Sequence, residues 1–160
     1  MGGLQVFDSN IWLHGCLFRN SEPARLVDEA ARGHREVDVS AYVFNEVVHR
    51  FENPKGRYDR THTEEAKQLF SDIVVHSESV QAPTQRAVES TDLGEREIQP
   101  ANQLFARVLD IQAKDAPVLA GAWRQDRYVD LYTCDLQFAS CDLFAHGISH
   151  IPIHHVEPPK

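Results

Sequence analysis

Short apolar runs alternate with amphipathic stretches along almost the whole chain, and this alternation narrows the fold more than any other feature. Leu4-Gln5-Val6-Phe7 stops at the polar Asp8-Ser9-Asn10 and predicts a first strand. Leu26, Val27, Ala30 and Ala31 then mark one face of a helix that Gly33 ends. Val37-Asp38-Val39-Ser40 predicts a second strand, with Ser40 capping a helix striped by Val43, Phe44, Val47, Val48 and Phe51. Asn53-Pro54-Lys55-Gly56 breaks that helix. Thr63 to Phe70 is helical, and Ile73-Val74-Val75-His76 predicts a third strand. Residues 77–99 are polar and hard to assign beyond a surface helix around Arg86 to Glu89. Leu104, Phe105, Val108 and Leu109 repeat at helical spacing, and Asp115-Ala116-Pro117 opens an apolar helix from Val118 to Trp123, with Trp123 expected in the core. Tyr128 to Tyr132 is strand-like, Leu136 to Ala145 is helical up to Gly147, and Ile148 to Val156 is an edge strand because it contains Pro152.

Strand–helix alternation of this kind specifies an α/β fold with a mainly parallel sheet of about five strands in a three-layer α/β/α sandwich. A chain of 160 residues without repeats or a linker fits one domain, assigned to 1–157 with an unstructured tail at 158–160. No apolar run is long enough for a membrane span. Met1 to Asn10 lacks the basic start and apolar core of a secretory signal. Three cysteines without a CxxC pair suit reduced thiols in a cytoplasm. Sixteen Lys and Arg against 24 Asp and Glu give a net charge of −8, so the chain as a whole repels nucleic acid.

Ligands of parallel sheets bind beyond the carboxyl ends of the strands, and several acids fall there. Asp8 ends the first strand, Asp135 follows a late one, Asp115 begins a helix, and Glu46 lies in the second turn of the helix after strand two. Each has a plainer reading: Asp8 and Asp115 as helix caps, Glu46 as a solvated helix residue, Asp135 as a turn residue. Four carboxylates at one rim raise one another's pKa unless a cation joins them. Hard oxygen donors suit Mg²⁺ or Mn²⁺, and an ion held that way is matched to phosphodiester chemistry. Such an ion would also let an acidic protein meet RNA.

The motifs resemble those of the PIN-domain ribonucleases. Val6-Phe7-Asp8-Ser9-Asn10-Ile11-Trp12 is similar to the family's opening strand, and Ser40-Ala41-Tyr42-Val43-Phe44-Asn45-Glu46-Val47 to the helix carrying its second acid. Lys114-Asp115-Ala116-Pro117-Val118-Leu119-Ala120-Gly121-Ala122 resembles its third motif, and Leu131-Tyr132-Thr133-Cys134-Asp135-Leu136-Gln137-Phe138 its Thr-x-Asp motif. The resemblance implies a PIN-like fold and a metal-dependent endoribonuclease. Asp8, Glu46, Asp115 and Asp135 would then be the catalytic, metal-binding acids, with Asn10, Thr133 and Ser9 supporting them. It further implies Mg²⁺ or Mn²⁺ as cofactor, an RNA substrate, an antitoxin protein as partner if the chain is a toxin, and a homodimer. Asp142 is the nearest candidate for the further acid some members use.

Two other classes compete. A non-catalytic PIN-like binding module would keep the fold without the reaction. An Asp-based phosphotransfer domain would use Asp8 as nucleophile, but Asp8-Ser9-Asn10 lacks a second acid and only Lys160 lies beyond the last strand. His146, His150 and His154 recur every fourth residue, yet Gly147 and Pro152 oppose the continuous helix a zinc face would need. Arg57, Arg60 and His62 are expected in a loop within reach of an RNA backbone.

Overall fold

The computed structural model describes residues 3–55 and 59–160. Five strands form one sheet in the order β3-β2-β1-β4-β5, with every neighbouring pair parallel. The strands are β1 (Leu4–Phe7), β2 (Val37–Asp38), β3 (Val80–Gln81), β4 (Val129–Thr133) and β5 (Ile153–His155). The helices are α1 (Ser9–Leu17), α2 (Glu22–Ala31), α3 (Ala41–Glu52), α4 (Arg60–His76), α5 (Gln85–Ser90), α6 (Leu93–Ile98), α7 (Pro100–Leu109), α8 (Ala116–Trp123) and α9 (Leu136–Ala139). They sandwich the sheet in the three-layer α/β/α, PIN-like arrangement expected from the sequence. No helix among the described residues is long and apolar enough to cross a membrane.

β1 is buried along its whole length, as a central parallel strand must be. Its register with β4 pairs Phe7 with Tyr132, so the polar residues that follow both strands emerge at one edge. Phe7, Trp12 and Phe70 pack in series in the core, the first pair tilted and the second edge-on, with centroids 5.2 and 5.4 Å apart. Gly15 lets α2 approach α1, since a Cβ there would lie 2.5 Å from Val27 Cγ2 and 2.9 Å from the Pro23 carbonyl oxygen.

Several expectations need correction. Ile73 to His76 is the last turn of α4 rather than a strand, and the edge strand is Val80–Gln81. Thr63, Ala66, Phe70, Ile73 and Val74 keep one helical face buried, so a period of 3.6 outweighs the β preference of three branched residues. Arg60 and His62 start α4 under an Asp59 cap and are not in a loop, while Arg57 lies outside the described residues. The helix after Asp135 stops at Ala139, and a separate 3₁₀ turn, Phe144–His146, ends at Gly147 with φ +77°. Trp123 is 40% exposed rather than core, lying against Phe105 on the outside of α7 and α8. Leu104 and Val108 on α7 are likewise exposed.

Candidate active site at the carboxyl edge of the sheet

Parallel pairing of β1 with β4 brings Asp8 and Thr133 together across 125 positions of sequence, and the Thr133 hydroxyl donates to Asp8 Oδ2 at 2.8 Å. Thr133 is fully buried and also accepts the Asp135 backbone N–H at 3.0 Å, which fixes the turn carrying Asp135. Asn10 completes the clasp. Its Nδ2 donates to Asp8 Oδ2 at 3.3 Å, and its Oδ1 accepts the Cys134 backbone N–H at 3.0 Å. Asp8 caps α1 through Oδ1, which accepts the Ser9 N–H at 2.8 Å, while the same carboxylate faces the other acids. Its plainer reading as a helix cap is what the hydrogen bonds show.

Glu46 arrives from α3, whose start is set by the Ser40 hydroxyl accepting from Val43 N. The Ser9 hydroxyl donates to Glu46 Oε2 at 2.5 Å and ties α3 to α1. Asp115 stands immediately before α8, but its side chain does not cap that helix. Its Oδ2 instead accepts the Gln112 N–H, at 3.3 Å. Asp135 does cap α9, accepting from Phe138 N at 3.2 Å. Asp142 accepts the Ala145 N–H within its own turn.

Burial and mutual repulsion shape this group. Asp8 and Asp115 are 5% and 2% exposed. Desolvation raises the pKa of Asp8, opposed by the Thr133 and Ser9 hydrogen bonds. Desolvation also raises Glu46, with the Asp8 charge adding to it. Asp115 is pushed up to about 7, first by burial and then by the charges of Asp8 and Asp135. Lys114 acts in the opposite direction on Asp8, Glu46 and Asp115.

One acidic contact beside the α3 acid was not marked by the sequence. Tyr42, one turn before Glu46, donates its hydroxyl to Glu97 Oε1 at 2.9 Å, and burial together with Glu46, Glu97 and Asp8 keeps that hydroxyl protonated. Glu97 lies on α6, in the segment whose pattern was hardest to assign, and no motif marks it.

The four acids supply the hard oxygen donors a divalent cation prefers. Glu46, Asp115 and Asp135 each have one oxygen engaged by the protein and the other without a hydrogen bond among the described residues. Both oxygens of Asp8 are occupied. Among the described residues no three His, Cys, Asp or Glu side chains are grouped so that they could together hold a metal ion. In this arrangement the free oxygens of Glu46, Asp115 and Asp135 are the ones open to an ion. The recurring histidines are dispersed: His154 Nε2 lies 2.7 Å from Asp130 Oδ1, and His150 sits edge-on to Trp123.

No family model matches the chain, and no curated protein matches it. In structure it is similar to VapBC2 from Rickettsia felis, solved bound to a DNA fragment from their promoter. That likeness has a TM-score of 0.57 at 12% sequence identity and covers 97% of this chain and 100% of the other. At such identity it is a likeness of fold.

Proposed function

We propose that the protein is a Mg²⁺- or Mn²⁺-dependent endoribonuclease that hydrolyses RNA phosphodiester bonds. The observation that supports this reading is that Asp8, Glu46, Asp115 and Asp135 lie near enough for their charges to act on one another, with burial and that repulsion raising the pKa of Asp8, Glu46 and Asp115 from their ordinary values. Groups held so unfavourably favour positive charge nearby, which the fold supplies in part through Lys114 and, at Glu46, Arg50.

A bound divalent cation would neutralise the phosphodiester and lower the pKa of a water molecule. The chain's own residues do the rest. Asp8, Glu46, Asp115 and Asp135 would hold the ion. Thr133 and Asn10 keep Asp8 in one rotamer, and Ser9 keeps Glu46 turned toward it. Burial and the charges of Asp8 and Asp135 push Asp115 up to about 7, so an ion beside it would favour its charged form. The remaining partners belong to the same reading: single-stranded or looped RNA, a neutralising antitoxin and a second copy of the chain, in the cytoplasm. The exposed Leu104, Val108 and Trp123 of α7 and α8 favour the second copy, since an apolar face of this kind is costly to leave in water.

Purified protein incubated with structured RNA, in EDTA or with Mg²⁺ or Mn²⁺, tests the reading beside Asp8→Asn and Asp115→Asn. Cation-dependent cleavage by the wild type, lost in both variants, is the expected result. Equal cleavage by all three would overturn the site assignment. One observation favours a non-catalytic binding module instead: Asp8 is already saturated by protein donors, and among the described residues no three His, Cys, Asp or Glu side chains are grouped to hold a metal ion. A calorimetric Mn²⁺ titration without heat, on folded protein, would decide for that module.

A further inference from the structure

A pocket of about 250 Å³ opens between the end of α1 and the end of α3, lined by Leu13 and Leu17 on one side and by His49, Arg50, Asn53 and Lys55 on the other. In a chain of net charge −8 this pocket gathers two full positive charges and an imidazole. Neither Arg50 nor Lys55 enters an ion pair among the described residues, so both charges are open to a ligand. Basic residues in the last turn of a helix also suit its dipole. That effect explains one charge near the terminus and does not explain a concave pocket with a further lysine past the helix end.

The pocket is linked to the acids by helix geometry. Arg50 follows Glu46 by four residues and so lies on the same face of α3, about 6 Å further along at 1.5 Å per residue. Its charge reaches Glu46, whose pKa it lowers, and also His14 of α1. Two of the elements that line the pocket, α1 and α3, are also joined by the Ser9–Glu46 hydrogen bond at the acidic rim, while Thr63 of α4 completes the lining. Arg50, an exposed cation of the pocket, and the acid Glu46 thus lie along one helix, about one turn apart. One helical turn is comparable with the distance between neighbouring phosphates on an extended strand.

We infer that the Arg50–Lys55 pocket is a phosphate subsite that grips the RNA backbone next to the scissile bond. The subsite rests on the ribonuclease reading for its ligand, but it is a binding element and is separable from cleavage. Arg50 and Lys55 supply sequence-independent affinity, which locates the nucleic-acid contact in a protein whose overall charge opposes one.

Fluorescence anisotropy with labelled single-stranded RNA in EDTA tests it, so that no cleavage takes place. The double variant Arg50→Ala/Lys55→Ala is compared with wild type and with a charge-matched control, Arg86→Ala/Arg107→Ala, each checked for folding by circular dichroism. The expected loss is about tenfold in affinity, with the slope of log affinity against log salt smaller by about 1.4 for two contacts on a single strand. Arg50→Lys/Lys55→Arg should restore both. An unchanged affinity, an equal loss in the control, or no RNA binding by wild type would each overturn the subsite. So would an acidic peptide that outcompetes the RNA, which would make the pocket a protein-docking site. RNA held by the pocket but never cut in Mg²⁺ or Mn²⁺ would remove the ribonuclease reading and leave the subsite. Cleavage with unaltered affinity in the double variant would do the reverse.

Discussion

Replacing Asp115 with Asn should make the metal-free protein more stable at neutral pH while abolishing cation-dependent cleavage. Asp115 is 2% exposed and its pKa rises from the ordinary 3.8 to about 7. A carboxyl raised in this way favours the fold fully only below its unfolded value, and that contribution disappears as pH climbs through the folded value. At about 1.4 kcal/mol per pKa unit, the penalty above pH 7 approaches about 4 kcal/mol, and at pH 5 less than half of that has accrued. Asn keeps an oxygen for the Gln112 N–H and removes the charge that repels Asp8 and Asp135. Part of the gain is spent on burying an amide, so about 2–4 kcal/mol is expected at pH 7.5, or very roughly 4–16 °C in Tm for a chain of this size. Urea titrations in EDTA, followed by tryptophan fluorescence from the buried Trp12, give the number at pH 7.5 and pH 5. Mn²⁺ at a hundred times its Kd should add about 2.7 kcal/mol to wild type and much less to the variant. The reasoning fails if Asp115→Asn is no more stable than wild type at pH 7.5 without metal, or if the gap does not narrow at pH 5.

Other outcomes follow from the same geometry. Thr133→Val removes a fully buried hydroxyl that serves Asp8 and the Asp135 N–H, and should cost about 1–3 kcal/mol and weaken Mn²⁺ binding, with Thr133→Ser restoring both in denaturation and calorimetric titrations. Cleavage in Mg²⁺ should rise with pH as Asp115 loses its proton, and Lys114→Ala should move the midpoint upward, since Lys114 opposes the rise in that pKa; identical midpoints would refute the coupling. Gly15→Ala should destabilise by about 1–3 kcal/mol, because its Cβ would meet the Pro23 carbonyl oxygen at 2.9 Å and backbone yields little; an unchanged urea midpoint would contradict the close helix contact.

The architecture was legible because a buried parallel strand and an amphipathic helix leave different periodicities, and β1, β2, β4, α2, α3 and α8 all lie where those periods place them. Misassignments came where two signals overlapped. Ile73-Val74-Val75 has a strand's composition inside a helix's period, and the face shared with Ala66 and Phe70 decided the outcome. Trp123 belongs to an apolar helix that a sequence places inside, yet its position at the end of α8 against Phe105 leaves it half in water.

The primary sequence determined, alone, which acids follow strands, since strand ends are marked by a local change from apolar to polar residues. Parallel pairing was implied by the helices between strands, and pairing aligns those ends at one edge. Only the tertiary structure decided what holds the acids there: the Thr133 clasp on Asp8, the Ser9 tie to Glu46, the arrival of Glu97 through Tyr42, and the cationic pocket one turn below. Local pattern reports what a residue does to its own backbone, whereas a pKa, a hydrogen bond across 125 positions or a groove between two helices depends on neighbours that only packing supplies.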